Sequence, residues 1–238
     1  MTLSIVIPCF NEADNLVELF KSIDPVCSKY KNLEIILVDN GSTDNSDQIF
    51  ISELNKRDTD VFKVIKVEKN IGYGYGILSG LRAAKGDILS VTHADRQTDP
   101  LDVIKAYEIY LAKKDESLLV KGYRKNRKIT EAFFSWVMGV LSSIALGTRL
   151  TEINAQPKLF SKVFFDQIQQ DAPHDFSLDL YFLYHAKKRG KIIEFPVFFA
   201  KRVAGEAKGG SGSSWKTRWK LIRRILKYIF ELRKKVKN

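Results

Sequence analysis

Short apolar runs alternate with amphipathic segments along most of the chain. Runs rich in branched residues predict strands at 3–7, 33–38, 61–67 and 87–92. Apolar positions at helical spacing predict helices over 13–23 and 101–112, and another that ends near 84. Because strands and helices alternate, we expect an α/β domain with a largely parallel sheet and right-handed crossovers.

The same alternation continues downstream, with a predicted strand at 117–121, a helix at 175–189 and a last strand at 192–199. Residues 133–146 predict a helix that is apolar nearly all round. This pattern is typical of a buried helix, although a helix lying in a membrane interface shows it too. No run reaches the ~20 apolar residues that cross a bilayer, so we expect no spanning segment.

The composition changes towards the carboxyl terminus. Residues 204–214 are rich in Gly and Ser, which predicts a mobile loop. Residues 215–236 predict an amphipathic helix, with an apolar stripe of Trp219, Ile222, Leu226 and Ile229. We therefore divide the chain into an α/β domain at 1–200, a mobile active-site loop at 201–214 and a basic amphipathic helix at 215–238.

The net charge of +11 belongs entirely to this last part of the chain. Residues 201–238 contain thirteen Lys and Arg against two Glu, whereas residues 1–200 contain 26 basic and 26 acidic residues. The charge therefore indicates an anionic partner for the carboxyl-terminal segment, either a membrane surface or a nucleic acid. The two cysteines, Cys9 and Cys27, give no disulfide framework, which favours a reducing, cytosolic setting.

Polar side chains follow three of the predicted strands. They are Glu12, Asp39 and the group formed by His93, Asp95 and Gln97. The carboxyl ends of strands in an open α/β sheet lie at one edge, where ligands bind. Alternation along an extended chain would put the last three side chains on one side, where they are plausible ligands of a divalent cation. An ordinary polar turn is the alternative.

Three further segments are open to more than one interpretation. Glycines 72, 74 and 76 do not match the dinucleotide phosphate fingerprint in spacing or position, so we expect a flexible loop with close backbone approach. The basic run at 122–128 is either a solvated loop or a grip on phosphate. Ser42 or Thr43 is available to cap the helix after the second strand.

Four segments resemble, in order and spacing, the motifs of family 2 glycosyltransferases with the GT-A fold. They are IVIPCFNE from Ile5, VDNGSTD from Val38, NIG from Asn70 and HADRQTDP from His93. Downstream, GYR from Gly122, EINAQPKLF from Glu152 and RVAGEAK from Arg202 resemble the branch that contains dolichol-phosphate mannose synthase and bacterial polyprenyl-phosphate sugar transferases. The resemblance covers nearly the whole chain.

The resemblance implies a site for a nucleotide diphosphate sugar and a divalent cation. The implied donor-binding residues are Pro8, Asn11, Glu12, Asp39, Asn40, Ser42, Asn70, Gly72 and Ala94. Asp95 and Gln97 would hold Mg²⁺ or Mn²⁺ on the donor diphosphate. His93 replaces the first acid of the family's motif, and it would either ligate the metal, favouring Mn²⁺, or donate to a phosphate oxygen.

The reaction implied by the resemblance is inverting sugar transfer. The catalytic residues implied are Asp95, Arg124, Asp179, Arg202 and Lys208, and those implied for the acceptor or its phosphate are Arg124, Gln156, Lys158, Arg202 and Lys208. Asp179 is either a base for a hydroxyl acceptor, or an exposed helix carboxylate or a support for a basic loop residue. A lipid phosphate is already anionic near neutral pH and needs no strong base.

The resemblance and the basic tail together predict a peripheral enzyme on the cytoplasmic face of a membrane. We expect a polyprenyl phosphate acceptor, with residues 215–237 lying on anionic lipid through Trp215, Trp219, Ile222, Leu226 and Ile229. Transfer to a hydroxyl of a lipid-linked or cell-surface glycan is the alternative. An inactive domain with a nucleic-acid-binding tail is disfavoured, because the acidic edge would repel a polyanion. A homo-oligomer stays open.

Overall fold

The structure is a computed structural model that describes residues 1–127, 129–200, 223 and 226–233. In this part of the chain seven strands form one sheet in the order β3–β2–β1–β4–β6–β5–β7. The strands are β1 (Leu3–Cys9), β2 (Leu33–Asp39), β3 (Phe62–Lys66), β4 (Ile88–Val91), β5 (Leu118–Lys125), β6 (Lys158–Ser161) and β7 (Lys191–Phe198). The helices are α1 (Ala13–Lys29), α2 (Ser46–Leu54), α3 (Tyr73–Ala83), α4 (Leu101–Lys113), α5 (Ile129–Leu146), α6 (Lys162–Ile168) and α7 (Leu178–Arg189).

The sheet is mostly parallel, as the alternation of strands and helices predicted. The exception is β6, which lies antiparallel between β4 and β5. The sequence analysis did not identify this strand, because it has only four residues and carries a lysine at its first position. It brings Lys158 into the middle of the sheet, where no solvent reaches the side chain.

Two hydrophobic cores lie on opposite faces of the sheet. Along β1, Ile5 and Ile7 contribute to the core beneath α1, α2 and α4, whereas Val6 contributes to the core beneath α3, α6 and α7. This division follows from the period-two alternation of side chains along a strand. Burial of both faces explains why the strand sequences are almost continuously apolar.

Helix α5 differs from its predicted placement. It begins at Ile129, four residues earlier than expected, and only Gly139, Ser142 and Leu146 are buried. Five of its large apolar side chains are exposed instead, among them Ile129 at 88% and Trp136 at 64%. Default burial was therefore the wrong interpretation of its apolar pattern. By length and composition alone α5 could cross a membrane, which the sequence analysis had not expected of any segment.

The basic tail is described only in part. Residues 226–233 are helical, and Ile229 and Leu232 lie in the same core as α7, being 1% and 4% exposed. The prediction that Ile229 faces a membrane is therefore wrong, because this side chain is covered by protein, and Leu226 is partly buried against the same core. The predicted loop at 201–214 and the rest of the stripe, Trp215, Trp219 and Ile222, lie outside the described residues.

Candidate active site

Polar loops meet at the carboxyl ends of β1 and β2. Asn11, just after β1, donates its backbone N–H to Ser42 Oγ over 3.0 Å and accepts from Thr43 N at its side-chain oxygen over 2.8 Å. Asp39, the last residue of β2, accepts from Ser42 N over 2.9 Å. Ser42 thus ties two loops together and does not cap α2, which begins at Ser46. The expectation that Ser42 or Thr43 caps this helix is wrong.

Asn40 connects this edge to the loop after β3. Its side-chain N–H donates to Gly72 O over 3.1 Å, and Gly72 N donates in turn to Asn70 Oδ1 over 3.0 Å. Among the described residues, Asn40 Oδ1 is buried and has no hydrogen-bond partner. Gly41 has a φ of 74°, and a Cβ there would collide with Asn70 N. The structure therefore brings together most of the polar residues predicted for the donor.

The other three predicted donor residues lie around the same loops. Pro8 is in β1, in register with Val38 of β2. Glu12 ends the loop after β1, donating its backbone N–H to Ser46 Oγ and accepting from Asn15 at its carboxylate. Ala94 is buried just beyond β4. These residues therefore border the same edge of the sheet.

The segment after β4 carries His93, Asp95 and Gln97. The strand ends at Val91, and the chain bends over residues 94–98, with Arg96 at a φ of 59°. The extended alternation that was expected to align the three side chains therefore does not continue. The bend lets Asp95 accept from Gln97 N over 3.1 Å, and Gln97 Nε2 donates to Ala200 O beyond β7 over 3.2 Å.

His93 lies among charges of both signs. Desolvation lowers its pKa, against the opposing effect of Asp95 and Asp179, while Lys158 and Arg124 lower it further. The imidazole is therefore neutral at pH 7, which is the form that can ligate a metal. In the described part of the chain, no three His, Cys, Asp or Glu side chains converge. These residues fit a cation that takes its other ligands from a diphosphate and water, as Mg²⁺ commonly does.

Lys158 and Asp179 form a buried ion pair beneath His93. Lys158 Nζ donates to Asp179 Oδ1 over 2.6 Å and to Ala155 O over 2.9 Å. Gln156 Nε2 donates to the same carboxylate oxygen over 3.1 Å. Burial lowers the pKa of Lys158, although Asp179 opposes this. The geometry supports the interpretation of Asp179 as a partner of a basic residue, and it commits both groups to each other.

Tyr73 is a buried site residue that the sequence analysis did not single out. Its ring stacks on Phe176 at 4.8 Å between centroids, and its buried hydroxyl interacts with the side chain of Gln156. Burial raises its pKa well above the usual value, and the charges of Asp179 and Asp95 add to this shift. Its position at the start of α3, after the glycine of the NIG motif, was the available signal.

Arg124 lies at the end of β5, in a segment that forms a strand and not the solvated loop that was one interpretation. Its Nε donates to Glu152 Oε2 over 2.8 Å, and its guanidinium lies 5.4 Å from the Phe199 ring centroid. Glu152 also accepts from Arg127 Nη1 over 3.2 Å. Burial would raise the pKa of Glu152, but Arg124 and Arg127 outweigh it and lower the pKa, so the carboxylate stays ionised.

Glu152 and Arg127 were also missed as site residues. Glu152 was quoted only as part of a motif, and Arg127 only as part of a basic run. The signal that could have identified them is the need of two clustered arginines for a counter-charge once they are buried. Of the other predicted phosphate ligands, Gln156 and Lys158 lie in the buried Asp179 cluster, while Arg202 and Lys208 lie outside the described residues.

Comparison with protein families places this edge in a known context. The family model for "Glycosyl transferase family 2" matches residues 4–173, which include both loops of the nucleotide edge and the segment after β4. The match also covers Glu152 and Lys158 and ends before α7.

Curated relatives match over most of the chain. The undecaprenyl-phosphate 4-deoxy-4-formamido-L-arabinose transferases of Salmonella choleraesuis and Salmonella paratyphi B are each 26% identical over 209 residues, 86% of this chain. The chain spans 62% of the length of these relatives.

Solved structures share the fold. Glucosyl-3-phosphoglycerate synthase from Mycobacterium tuberculosis in complex with Mn²⁺, UDP and glucosyl-3-phosphoglycerate superposes with a TM-score of 0.73 at 18% identity, covering 98% of this chain and 79% of the other. The same enzyme with Mg²⁺ and UDP gives a TM-score of 0.73 at 20% identity over the same shares. The mixed, mostly parallel sheet with flanking helices is thus the fold of a known nucleotide-binding enzyme.

Proposed function

The chain belongs to glycosyl transferase family 2, and from that membership we propose that it transfers a sugar from a nucleotide diphosphate sugar to a polyprenyl phosphate at a membrane surface. The observation that carries the proposal is the meeting of two unlike groups of residues at one sheet edge. A polar cradle that includes Asp39 lies at the ends of β1 and β2, and a buried cluster of acids and bases lies beyond β4. The first suits a nucleoside and the second suits phosphates.

The donor half of the proposal rests on the cradle. Asp39 and Asn40 offer oxygen and amide groups at the strand ends, where open α/β sheets bind ligands. Asn40 is buried and its side-chain N–H donates to Gly72 O, so it holds the loop after β3 against the end of β2. Asn11 and Ser42 hold the two loops in place through their mutual hydrogen bond, so little ordering is needed when a ligand binds.

The metal half of the proposal assigns a divalent cation to Asp95, His93 and Gln97. Such a cation, when bound, neutralises charge that develops on a leaving diphosphate. The neutral state of His93 suits ligation, and the bond from Gln97 to Ala200 O fixes the orientation of that amide. The structural neighbours contain Mn²⁺ or Mg²⁺ together with UDP, which is compatible with this assignment.

The acceptor half follows from the charges that remain. In the described residues the Arg124 side chain has one hydrogen-bond partner, Glu152, which engages Nε. The outer nitrogens can therefore form two parallel bonds to a phosphate. Asp179 is committed to Lys158 and Gln156, which disfavours its use as a general base. An acceptor that is already anionic needs no such base, and the relatives are named for undecaprenyl phosphate.

Helix α5 supports a location at the membrane, and we propose the cytoplasmic face. A helix that buries Gly139 and Ser142 while exposing Ile129, Phe133 and Trp136 has its apolar face turned away from the protein. Trp and Phe are suited to the interface between lipid headgroups and acyl chains. The buried small residues keep α5 against the domain, so the proposed helix lies along the membrane surface. Cys9 and Cys27 are free thiols, as expected in a reducing compartment.

The proposal is tested by incubating the full chain with radiolabelled nucleotide sugars, Mn²⁺, and undecaprenyl phosphate in phosphatidylglycerol vesicles. We expect a lipid product that survives mild alkali and is cleaved by mild acid. Excess EDTA and the substitution Asp95→Asn should each abolish its formation, whereas Asp87→Asn, at the opposite end of β4, should not. An acid-stable glycoside formed on a glycan hydroxyl would instead establish the alternative acceptor.

A further inference from the structure

A continuous series of hydrogen bonds connects Arg124 to helix α5. Glu152 accepts from Arg124 with one carboxylate oxygen and from Arg127 with the other. Arg127 reaches in the other direction, where Nη2 donates to Glu131 O over 3.1 Å and to Ser135 Oγ over 2.9 Å. Both of these acceptors belong to α5. The Arg127 guanidinium therefore forms hydrogen bonds with Glu152 on one side and with α5 on the other.

Glu152 is itself held from the sheet. Lys121, on β5, donates its Nζ to Thr151 O over 2.9 Å and to Glu152 O over 3.2 Å. The Lys121 side chain is buried, and it pairs with Glu194 on β7 over 2.9 Å. Since β5 and β7 are paired strands of the sheet, the backbone of Glu152 is fixed to a rigid element. The other end of the series is Ser135, and the position of its side chain depends on how firmly α5 is held against the domain.

Helix α5 is secured on one side only. Its small buried side faces the domain, where Ser143 Oγ donates to Gly139 O within the helix and accepts from Leu150 N over 2.8 Å. On its outer face, Ile129, Phe133 and Trp136 are exposed, and no other part of the described chain covers them. A surface that covers this outer face would therefore restrain α5 and, with it, the hydrogen bonds of Arg127.

We propose that Glu152 is a positioning residue that couples the seating of α5 on a lipid surface to the placement of Arg124. This inference rests on the proposed phosphate acceptor and membrane location. Glu152 does not touch the acceptor; it fixes Arg124 Nε, so the outer nitrogens point one way. When α5 lies on the lipid surface, Ser135 and the Glu131 carbonyl hold Arg127 in place. The Glu152 carboxylate then has only one position in which it can accept from both arginines. Phosphate is then gripped more tightly at the membrane than in solution.

The test measures phosphate binding by the full chain with and without lipid. The probe is dimethylallyl phosphate, which is too short to partition into bilayers, so any effect of vesicles must pass through the protein. For the wild type, vesicles of phosphatidylcholine and phosphatidylglycerol should lower Kd by about fivefold or more, the scale of a typical coupling between sites. Flotation of the same samples reports membrane attachment separately.

Two substitutions break the series at different points. Glu152→Gln should float like the wild type but lose the vesicle effect, and Ser135→Ala should lose the effect while its Kd without vesicles stays at the wild-type value. Thr130→Ala is the matched control, since it also removes a hydroxyl from α5 but at an exposed position outside these hydrogen bonds, and it should keep the effect. Glu152→Asp should recover part of it. If Glu152→Gln fails to fold, Ser135→Ala still decides.

Each contrary result has its own meaning. An equal vesicle effect in the wild type, Glu152→Gln and Ser135→Ala would show that Glu152 is merely structural and overturn the coupling. A wild type that floats but shows no vesicle effect would overturn it as well. If the wild type bound no dimethylallyl phosphate while nucleoside diphosphates still raised its thermal stability, the proposed phosphate acceptor would fall, and the coupling with it.

Discussion

Buried charges determine the arrangement of side chains beyond β4. Lys158 and Asp179 pair in the interior, and Glu152 faces two arginines that are almost as well buried. Such pairs add little net stability, because desolvation offsets their attraction, but losing one partner leaves an isolated buried charge. Their effect is therefore on position: each carboxylate fixes a cation whose side chain would otherwise have many conformations.

The Lys158–Asp179 pair gives a stability prediction. Lys158→Met or Asp179→Leu alone should lower the free energy of unfolding by about 3–5 kcal/mol, since each leaves one charge without its partner. Lys158→Met combined with Asp179→Leu should recover most of this loss, because neither charge remains. Urea denaturation of the three variants measures the coupling. Additive losses in the double variant would contradict the assignment of Asp179 as the partner of Lys158.

Lys121 gives a prediction about pH. Burial lowers its pKa from 10.5 to about 8, although Glu194 opposes the shift. The unfolded chain therefore binds more protons than the folded one between these values, so stability must rise with pH in this interval. The wild type should gain on the order of 3 kcal/mol relative to Lys121→Met between pH 8 and pH 10.5.

Urea denaturation at several pH values checks this expectation for Lys121. Lys191→Met, which removes an exposed lysine from the neighbouring strand, controls for the general loss of a positive charge. A difference between the wild type and Lys121→Met that stays constant from pH 8 to pH 10.5 would mean that Lys121 is not desolvated in the folded protein.

Among the secondary-structure elements, the strands with continuous apolar runs were predictable. The predicted bounds of β1, β2 and β4 differ from the observed ones by two residues or fewer, because continuous runs of branched residues fit a sheet that is covered on both faces. The antiparallel β6 was not predictable, since four residues that begin with lysine carry no clear period. The buried lysine of β6 is compatible with the fold because it pairs with Asp179 of α7, which is distant in sequence.

Helix α5 shows a limit of hydrophobic patterning. The sequence shows that the helix is apolar nearly all round, but not which side meets the protein. Gly139 decides this, because a Cβ at that position would lie 3.0 Å from Leu150 O, so only a very small residue allows this approach. The side with Gly139 and Ser142 therefore packs, and the large side chains are left outside. Local sequence does not contain this information, since Leu150 follows the helix.

The exposed face of α5 predicts membrane attachment. Phe133→Gln with Trp136→Gln should lower partitioning onto phosphatidylglycerol vesicles by about tenfold or more, because each aromatic ring loses apolar area that lipid would cover. The free energy of unfolding should change by no more than about 0.5 kcal/mol, as for other exposed sites. Flotation and urea denaturation measure the two quantities.

The matched control for this prediction is Ile51→Gln. Ile51 is a 58% exposed apolar residue of α2, and it should leave flotation unchanged. If Ile51→Gln and the α5 variant reduced flotation equally, the attachment would be a general effect of surface hydrophobicity. Unchanged flotation of the α5 variant would assign membrane binding to another part of the chain.

For the whole molecule, sequence motifs predicted which loops share one edge of the sheet better than they predicted the interior. The loops with Asn11, Asp39 and Asn40 meet as predicted, because carboxyl ends of parallel strands share one edge. The burial of Lys158 and the bridging position of Glu152 were not predictable, since both depend on contacts between segments far apart in sequence. The formal neutrality of residues 1–200 leaves the net charge to residues 201–238, of which Ile229 and Leu232 lie in the core.

The tail provides the last prediction, which concerns its contribution to the stability of the fold. Ile229 and Leu232 pack in the core against α7, so a truncation after Ser214 would expose the apolar surface that they cover. Full burial of two such side chains contributes about 3–6 kcal/mol as an upper estimate. We expect the truncated chain to unfold at a lower urea concentration by a corresponding amount. In the full chain, Ile229→Ala should reproduce part of the loss, whereas Phe230→Ala, at an exposed neighbouring position, should not. A truncated chain as stable as the full one would show that residues 226–233 do not stabilise the domain. That result would again favour a membrane-bound apolar stripe.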